Sequence, residues 1–377
     1  MKPIYLDYNA TTPIDKEVAD AMRPFLDTYF GNPSSTHEYG VDTKIAIEEA
    51  RENVASLIGC KPSEIIFTSG GTESNNYAIK GIALANKHRG KHIITSQIEH
   101  PAVIQVCKYL EQNGFIVTYL PVDEYGMVSP ADVENTITSE TILITIMHAN
   151  NEVGTIQAVE EIGQIAKNNA ILFHSDAAQS LGKIPVNVEN MNVSLLSIAG
   201  HKLYAPKGIG ALYIKEGVKL EKLIHGADHE MDHRAGTENV LEIVGLGKAC
   251  EIAKRDLSEN LARLKLMRDK LYNSILNDIP EVKLNGHPVL RLPNTLSLSF
   301  KNMEANNLLA DMPELAISAG AACHTGGIDI SYVLEAMKVP TDFAMGTIRF
   351  SVGKHTTFNE IKRASSLVVK TIMNSKK

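Results

Sequence analysis

The stretch Ser197-Ile198-Ala199-Gly200-His201-Lys202 ends on a lysine preceded by apolar residues. Those residues predict a partly desolvated amine, and desolvation makes an amine available as nucleophile or base. Asp176 directly follows the run ILFHS (171–175). In a buried sheet an Asp at that place needs a cationic or strongly hydrogen-bonded partner, for which a protonated heterocyclic nitrogen would serve. The alternative is a helix N-cap. After IIFTS (65–69) comes Gly70-Gly71-Thr72-Glu73-Ser74-Asn75-Asn76. Two glycines let the backbone approach an anion, the helix that follows offers unpaired N–H groups, and Thr72 adds a hydroxyl. His100 stands at a predicted helix start, and Asn150-Asn151-Glu152 follows ILITIMH (142–148).

The elements that must position these groups come next. From about residue 16 to 215, helical patterns alternate with short β-branched runs at 65–69, 92–96, 117–122, 142–148 and 171–175. Alternation of this kind predicts βαβ units and a mostly parallel sheet. Several runs are apolar on consecutive residues, as strands covered on both faces are. Residues 44–58 carry a helical period that Gly59 stops. Leu257, Leu261, Leu264, Leu271 and Ile275 fit one face of a long helix, and TLSLSF (295–300) and TIRFSVG (347–353) read as strands of a smaller α+β unit. The expected division is 15–257 for a large α/β domain, and 258–377 with 1–14 for a small one.

In such sheets ligands bind beyond the carboxyl ends of the strands. An amine, a carboxylate, a stackable ring and an anion cup are what pyridoxal 5′-phosphate requires. The G-x-G-x-x-G of a dehydrogenase does not follow a strand here, and no Walker A sequence is present.

Composition narrows the classes. The 377 residues carry 37 Lys+Arg and 44 Asp+Glu, net −7, which argues against a basic nucleic-acid-binding face. Cys60, Cys107, Cys250 and Cys323 form no C-x-x-C pair, so neither a zinc ribbon nor a disulfide framework is expected. The start MKPIYLDYNATTP has no apolar core of a signal peptide, and no apolar run would span a membrane. A cytoplasmic protein with reduced thiols is the expectation. Cys107 and Cys250 sit in apolar helical patterns and read as packing residues. Cys323 lies in SAGAACHTGG (318–327), where small residues predict a mobile, accessible loop and His324 favours the thiolate.

The chain resembles the pyridoxal-phosphate-dependent cysteine desulfurases of the class V aminotransferase type, with selenocysteine lyase as a close relative. The resemblance runs through YLDYNATTP (5–13), FGNPSS (30–35), TSGGTESNN (68–76), HANNEVGT (148–155), HSDAAQS (174–180), GHK (200–202), RAGTEN (234–239), SAGAAC (318–323) and IRFSVG (348–353). It implies fold type I, with a seven-stranded, mostly parallel sheet flanked by helices and a smaller α+β domain. It implies that Lys202 is the Schiff-base lysine and that Asp176 pairs with the pyridine nitrogen. Gln179 would contact the phenolic oxygen, and His100 would stack on the ring and shuttle a proton. Gly71, Thr72 and His201 would hold the phosphate, joined by Thr237 from the neighbouring subunit of a homodimer. Asn151 would touch cofactor and substrate, Arg349 would fork onto the substrate carboxylate, and Cys323 would accept the sulfur of L-cysteine as a persulfide. The stretch from Cys323 to Tyr332 has the longer loop form of the family, a length that suits swinging the persulfide toward a sulfur-acceptor protein. Iron–sulfur, tRNA-thiolation, cofactor-synthesis and DNA-phosphorothioation systems all use such donors.

Two departures stand out. Ala199 occupies the place of a phosphate-binding serine, so one hydroxyl donor is missing, as it is in selenocysteine lyases. His225, His229 and His233 recur at steps of four, a spacing that on a helix would suit a metal. The resemblance places them instead in a loop near the subunit interface, and no metal is expected. The competing readings are a selenocysteine lyase, which would turn L-selenocysteine into L-alanine, and a non-catalytic sulfur-transfer scaffold.

Overall fold

The computed structural model describes residues 2–320, 322–324 and 327–375, with the backbone alone at 322–324 and 327–329. After a short β1 (Ile4–Tyr5), seven strands form one sheet: β2 (Ile65–Thr68), β3 (His92–Ser96), β4 (Ile116–Leu120), β5 (Thr141–Thr145), β6 (Leu172–Asp176), β7 (Leu195–Ala199) and β8 (Gly210–Ile214). Their order is β2-β8-β7-β6-β5-β3-β4. Neighbours from β7 to β4 pair in parallel, while β8 runs antiparallel to both β7 and β2. Six strands therefore share one direction, and their carboxyl ends gather at one edge. This is the expected large α/β unit. Strands β3, β5 and β7 are buried at every position, as strands packed on both faces must be.

The run 142–148 leaves the strand ladder after Thr145. The next donor on the β3 side, the Met147 N–H, goes to the buried Glu99 carboxylate instead of to backbone. The helix expected at 44–58 spans Glu38–Ile58 and ends on Gly59 at φ 75, a left-handed conformation that glycine adopts without a Cβ clash.

The rest of the chain adds β9 (Lys283–Asn285), β10 (Thr295–Ser299), β11 (Leu315–Ala316), β12 (Ser318–Ala319), β13 (Ala322–His324), β14 (Gly327–Asp329) and β15 (Thr347–Ser351). A second sheet has the order β12-β15-β10-β9 and is antiparallel throughout. β1 joins β11 in parallel, so the N-terminal arm lies against this second unit. β13 and β14 pair as an antiparallel hairpin, with Cys323 opposite Ile328. The sequence expectation of a loop there is corrected at backbone level: the extended Ala322–His324 finds hydrogen-bonding partners within its own segment. Ala321, Thr325, Gly326 and the Cys323 side chain lie outside the described residues.

One helix, Val240–Asp278, serves both cores. Its first half buries Ile243, Leu246, Cys250 and Ala253 against the large sheet's core. Its second half buries Leu264, Met267, Leu271 and Ile275 against the small sheet's core. Among the described residues no helix is long and apolar enough to cross a membrane.

Candidate active site

A cavity of about 300 Å³ opens at the carboxyl edge of the large sheet, a volume at the lower end for small-molecule sites. Its wall includes Gly71, Thr72, His100, Asn151, Asp176, Gln179, His201, Lys202 and Arg349. Of the expected site residues, those nine come together from separate strand ends, and the small unit supplies Arg349 from β15. Thr237 is exposed and lines a neighbouring pocket with Ser69 and Arg234 instead. The Cys323 side chain is outside the described residues.

Lys202 follows β7 in a short 3-10 turn. Its Nζ donates to the carbonyls of Asn9 and Ala10, each at 2.6 Å. Burial, and then the Arg349 charge, bring its pKa down to about 8. The amine is therefore neutral in a substantial fraction near physiological pH.

Asp176 ends β6. Its Oδ1 accepts the Ala178 N–H at 2.9 Å, and its Oδ2 accepts from Asn75 Nδ2 at 2.7 Å. Asp176 thus makes an N-cap-like turn while its carboxylate lines the cavity. His100 likewise lines the cavity and caps the helix Pro101–Gln112, its Nδ1 accepting the Ala102 N–H at 3.1 Å. A neutral ring accepting at Nδ1 carries its proton on Nε2. Packing around the ring lowers its pKa, which favours that neutral form.

The anion cup is the start of the helix Gly71–Asn86. Gly70 has φ 146 and gives no side-chain cap, so the first-turn N–H groups are not claimed by one. A Cβ on Gly71 would stand 3.2 Å from the Ala199 Cβ, so the floor of the cup is lined by two minimal residues. His201 faces Thr11 Oγ1 at 3.2 Å. Burial, reinforced by Lys202 and Lys207, lowers its pKa to about 4, which keeps the ring neutral near physiological pH.

Arg349 is held before any ligand arrives. Nη2 donates to Asp7 Oδ1 at 2.8 Å and to Ser318 Oγ at 3.1 Å, and Nη1 donates to the Asn151 carbonyl at 3.1 Å. Around this wall the buried atoms Asn75 Oδ1, Asn151 Oδ1 and Arg349 Nε lack hydrogen-bond partners. Buried polar atoms are normally satisfied, so three such atoms around one cavity fit a polar ligand. The donor set fits pyridoxal phosphate: helix N–H groups for the phosphate, Asp176 for a ring nitrogen, and the Lys202 amine for an aldehyde.

Sequence reasoning passed over three residues of this site. Asn75 lies one helical turn after Gly71, which is the available signal for its reaching Asp176. Asn9 carries the carbonyl that receives Lys202, and Lys183 stands behind Gln179. The Asn9 contact joins residues 193 apart, which no local pattern encodes, whereas Lys183 lies four residues after Gln179, and that spacing is the available signal.

The histidines at 225, 229 and 233 do not share a helix. Their segment is a loop with one 3-10 turn at Glu230–Asp232. His229 Nδ1 meets Glu238 Oε2 at 3.0 Å, and the His233 carbonyl accepts from Tyr77.

Residues 4–364 match the family Aminotransferase class-V. A cysteine desulfurase IscS of Dictyoglomus turgidum is 51% identical over 362 residues, covering 96% of this chain and 92% of that protein. A solved NifS-like protein superposes with TM-score 0.93 at 39% identity, covering 99% of this chain and 100% of its own. The structure of SspA in complex with cysteine gives TM-score 0.81 at 38% identity, over 94% of this chain and 99% of that one. Fold, site and sequence agree that the chain belongs to the cysteine desulfurases within the class-V aminotransferase family.

Proposed function

We propose that the protein is a pyridoxal-phosphate-dependent cysteine desulfurase that converts L-cysteine to L-alanine and leaves the sulfur on Cys323 as a persulfide. The observation that carries this reading is the meeting of Lys202, Asp176, His100 and Arg349 around one cavity, with the start of the helix Gly71–Asn86 at its floor. Pyridoxal phosphate, when bound, supplies an aldehyde that takes the substrate amine and a ring that holds the electron pair left at Cα.

The residues of this chain do the rest. Asp176 keeps the ring nitrogen protonated. Gly71, Thr72 and the neutral His201 hold the phosphate. Arg349 receives the substrate carboxylate, with Asp7 and Ser318 fixing its fork. Asn151, whose Oδ1 is free, sits beside both. Lys202, neutral in part, removes the Cα proton, and the Nε2–H of His100 is placed to deliver one. The Cys323 thiolate attacks the substrate sulfur, an S–S bond forms and the C–S bond breaks. Its electron pair goes to carbon, which takes a proton. Cysteine and the Cys323 thiol thus become alanine and a persulfide, with no outside oxidant.

The other thiols do not compete. Cys107 and Cys250 are fully buried, and burial pushes the Cys107 thiol up to about 12 and the Cys250 thiol higher still. Burial, with Glu64 nearby, takes half-buried Cys60 to about 12 as well. Thiols held that high are poor nucleophiles near neutral pH.

The reading includes a homodimer in which Thr237 serves the partner's phosphate site. The adjoining exposed rings of Phe30 and Tyr39, with exposed Leu26, support such an interface. It also includes a large unit (15–257), a small unit (258–377 with 1–14), a cytoplasmic setting and a sulfur-acceptor protein.

The test is alanine release by the cofactor-loaded protein from L-cysteine and from L-selenocysteine, for wild type and Cys323→Ala. Cysteine turnover that requires Cys323 is expected. Turnover of selenocysteine alone would make the protein a lyase, and no turnover of either would make it a scaffold.

A further inference from the structure

An amide side chain has donors at one end and an acceptor at the other, so a ligand beside it sees opposite chemistry according to which way it is turned. Gln179 stands in the cavity wall in this position. Its Nε2 donates to the Asn9 carbonyl at 3.0 Å, and that carbonyl also receives Lys202 Nζ. Its Oε1 accepts from Lys183 Nζ at 2.9 Å.

Lys183 is 5% exposed. The titratable groups that bear on it, Lys202 and Arg349, are both basic, and each disfavours a charge on Lys183. An amine buried in such a field destabilises the fold. What it gains is the orientation of Gln179: the Asn9 carbonyl can only accept and Lys183 holds the other end, so one amide orientation satisfies both partners. The second Nε2 proton is left for the cavity.

We propose that Lys183 is a positioning residue, fixing the Gln179 amide so that its NH₂ end faces a ligand bound beside Lys202. This rests on the reading of the cavity as a pyridoxal phosphate site. The bound ligand's phenolic oxygen is anionic when ionised, and a donor there favours the ionised form.

The experiment uses the full-length apoprotein as wild type, Lys183→Met, Lys183→Gln, Gln179→Ala and the double variant Lys183→Met/Gln179→Ala. Three quantities are read: the Kd for pyridoxal 5′-phosphate by equilibrium dialysis, the pH titration of the bound cofactor's visible band, and Tm of the apoprotein. Lys183→Met should raise Kd about fivefold to tenfold, the loss of one hydrogen bond of ordinary strength, and move the titration to higher pH. Its Tm should change little, because relief of a buried amine offsets the loss of the partner of Gln179 Oε1. Lys183→Gln, which keeps a donor toward Oε1, should restore Kd to within about twofold. The double variant should match Gln179→Ala alone, the non-additivity expected of residues acting in series.

A Lys183→Met protein with wild-type Kd and titration overturns the proposal, and so do effects that add to those of Gln179→Ala. Lys183→Ala repeats this arm if methionine is not tolerated. Wild type that fails to take up pyridoxal phosphate overturns the cofactor reading itself, which separates the two failures.

Discussion

Replacing Glu230 with alanine should destabilise the protein by about 3 kcal/mol, the lower end of the range for breaking a buried ion pair by removing one partner, because a second carboxylate, Glu48, stays on the guanidinium. Arg51 and Glu230 have side chains 3% exposed each. The carboxylate receives both guanidinium ends at 2.9 Å and the Phe67 N–H at 2.8 Å. Its loss leaves a buried guanidinium, packed 4.8 Å from the Phe67 ring centre, with half-exposed Glu48 at 3.2 Å from Nε as its remaining carboxylate, and strips a backbone donor of β2 of its partner. The Ile65 carbonyl, at 2.6 Å from Nη1, is the neutral partner that remains. The same pair holds an unusual backbone: Glu230, Met231 and Asp232 have φ of 48, 54 and 66. Left-handed backbone costs about 1–2 kcal/mol per non-glycine residue. Glu230→Gly should therefore be milder than Glu230→Ala by about 1 kcal/mol, although both lose the carboxylate. Arg51→Leu/Glu230→Ala should be more stable than Glu230→Ala alone, since no buried guanidinium is left short of its main partner. Equilibrium urea denaturation of the apoprotein, followed by circular dichroism, measures all three. A loss below about 1 kcal/mol for Glu230→Ala, or a double variant showing the sum of the single losses, would refute the reasoning.

The remaining expectations concern the site. Capture of pyridoxal 5′-phosphate by the apoprotein needs a neutral Lys202 amine, so its rate should rise with pH through a midpoint near 8, followed by visible absorbance. Arg349→Leu removes the cationic neighbour that, after burial, does most to lower this pKa, so that midpoint should move upward. Ala199→Ser places a hydroxyl on the floor of the cup, facing Gly71. It should lower Kd for the cofactor about fivefold to tenfold, read by dialysis, as one added hydrogen bond of ordinary strength would. Asn75→Ala removes the 2.7 Å bond to Asp176. Kd for the cofactor should rise by about tenfold, with little change in KM for cysteine in the fully loaded enzyme.

Much of the sheet was legible because its strands are short, β-branched and apolar on both faces. His100 and Asp176 each follow a run read as a strand, whereas Lys202 follows apolar residues that turn out to be β7; all three line one cavity. Arg349 and Asn9 were harder to connect: their meeting with the large sheet depends on the N-terminal arm lying against β11 and β15, a contact between residues some three hundred apart in sequence. Glu99 and Lys183 were silent for another reason. Charged residues in a polar-looking turn read as solvated, and only the packed structure shows both fully enclosed. The three histidines at steps of four suggested a helix face, but three successive left-handed residues break any such period.

The helix Val240–Asp278 has 39 residues, with one half rooted in each hydrophobic core. It acts as a shared beam. Tilting one unit against the other would bend a hydrogen-bonded rod with no proline in it, so the distance from Lys202 on the large sheet to Arg349 on the small one is set mechanically. Melting should be shared for the same reason: neither core can lose its half of the beam without fraying the other's. A chain cut near residue 257 would leave two pieces, each with an unsupported helix end and an apolar stripe turned to water.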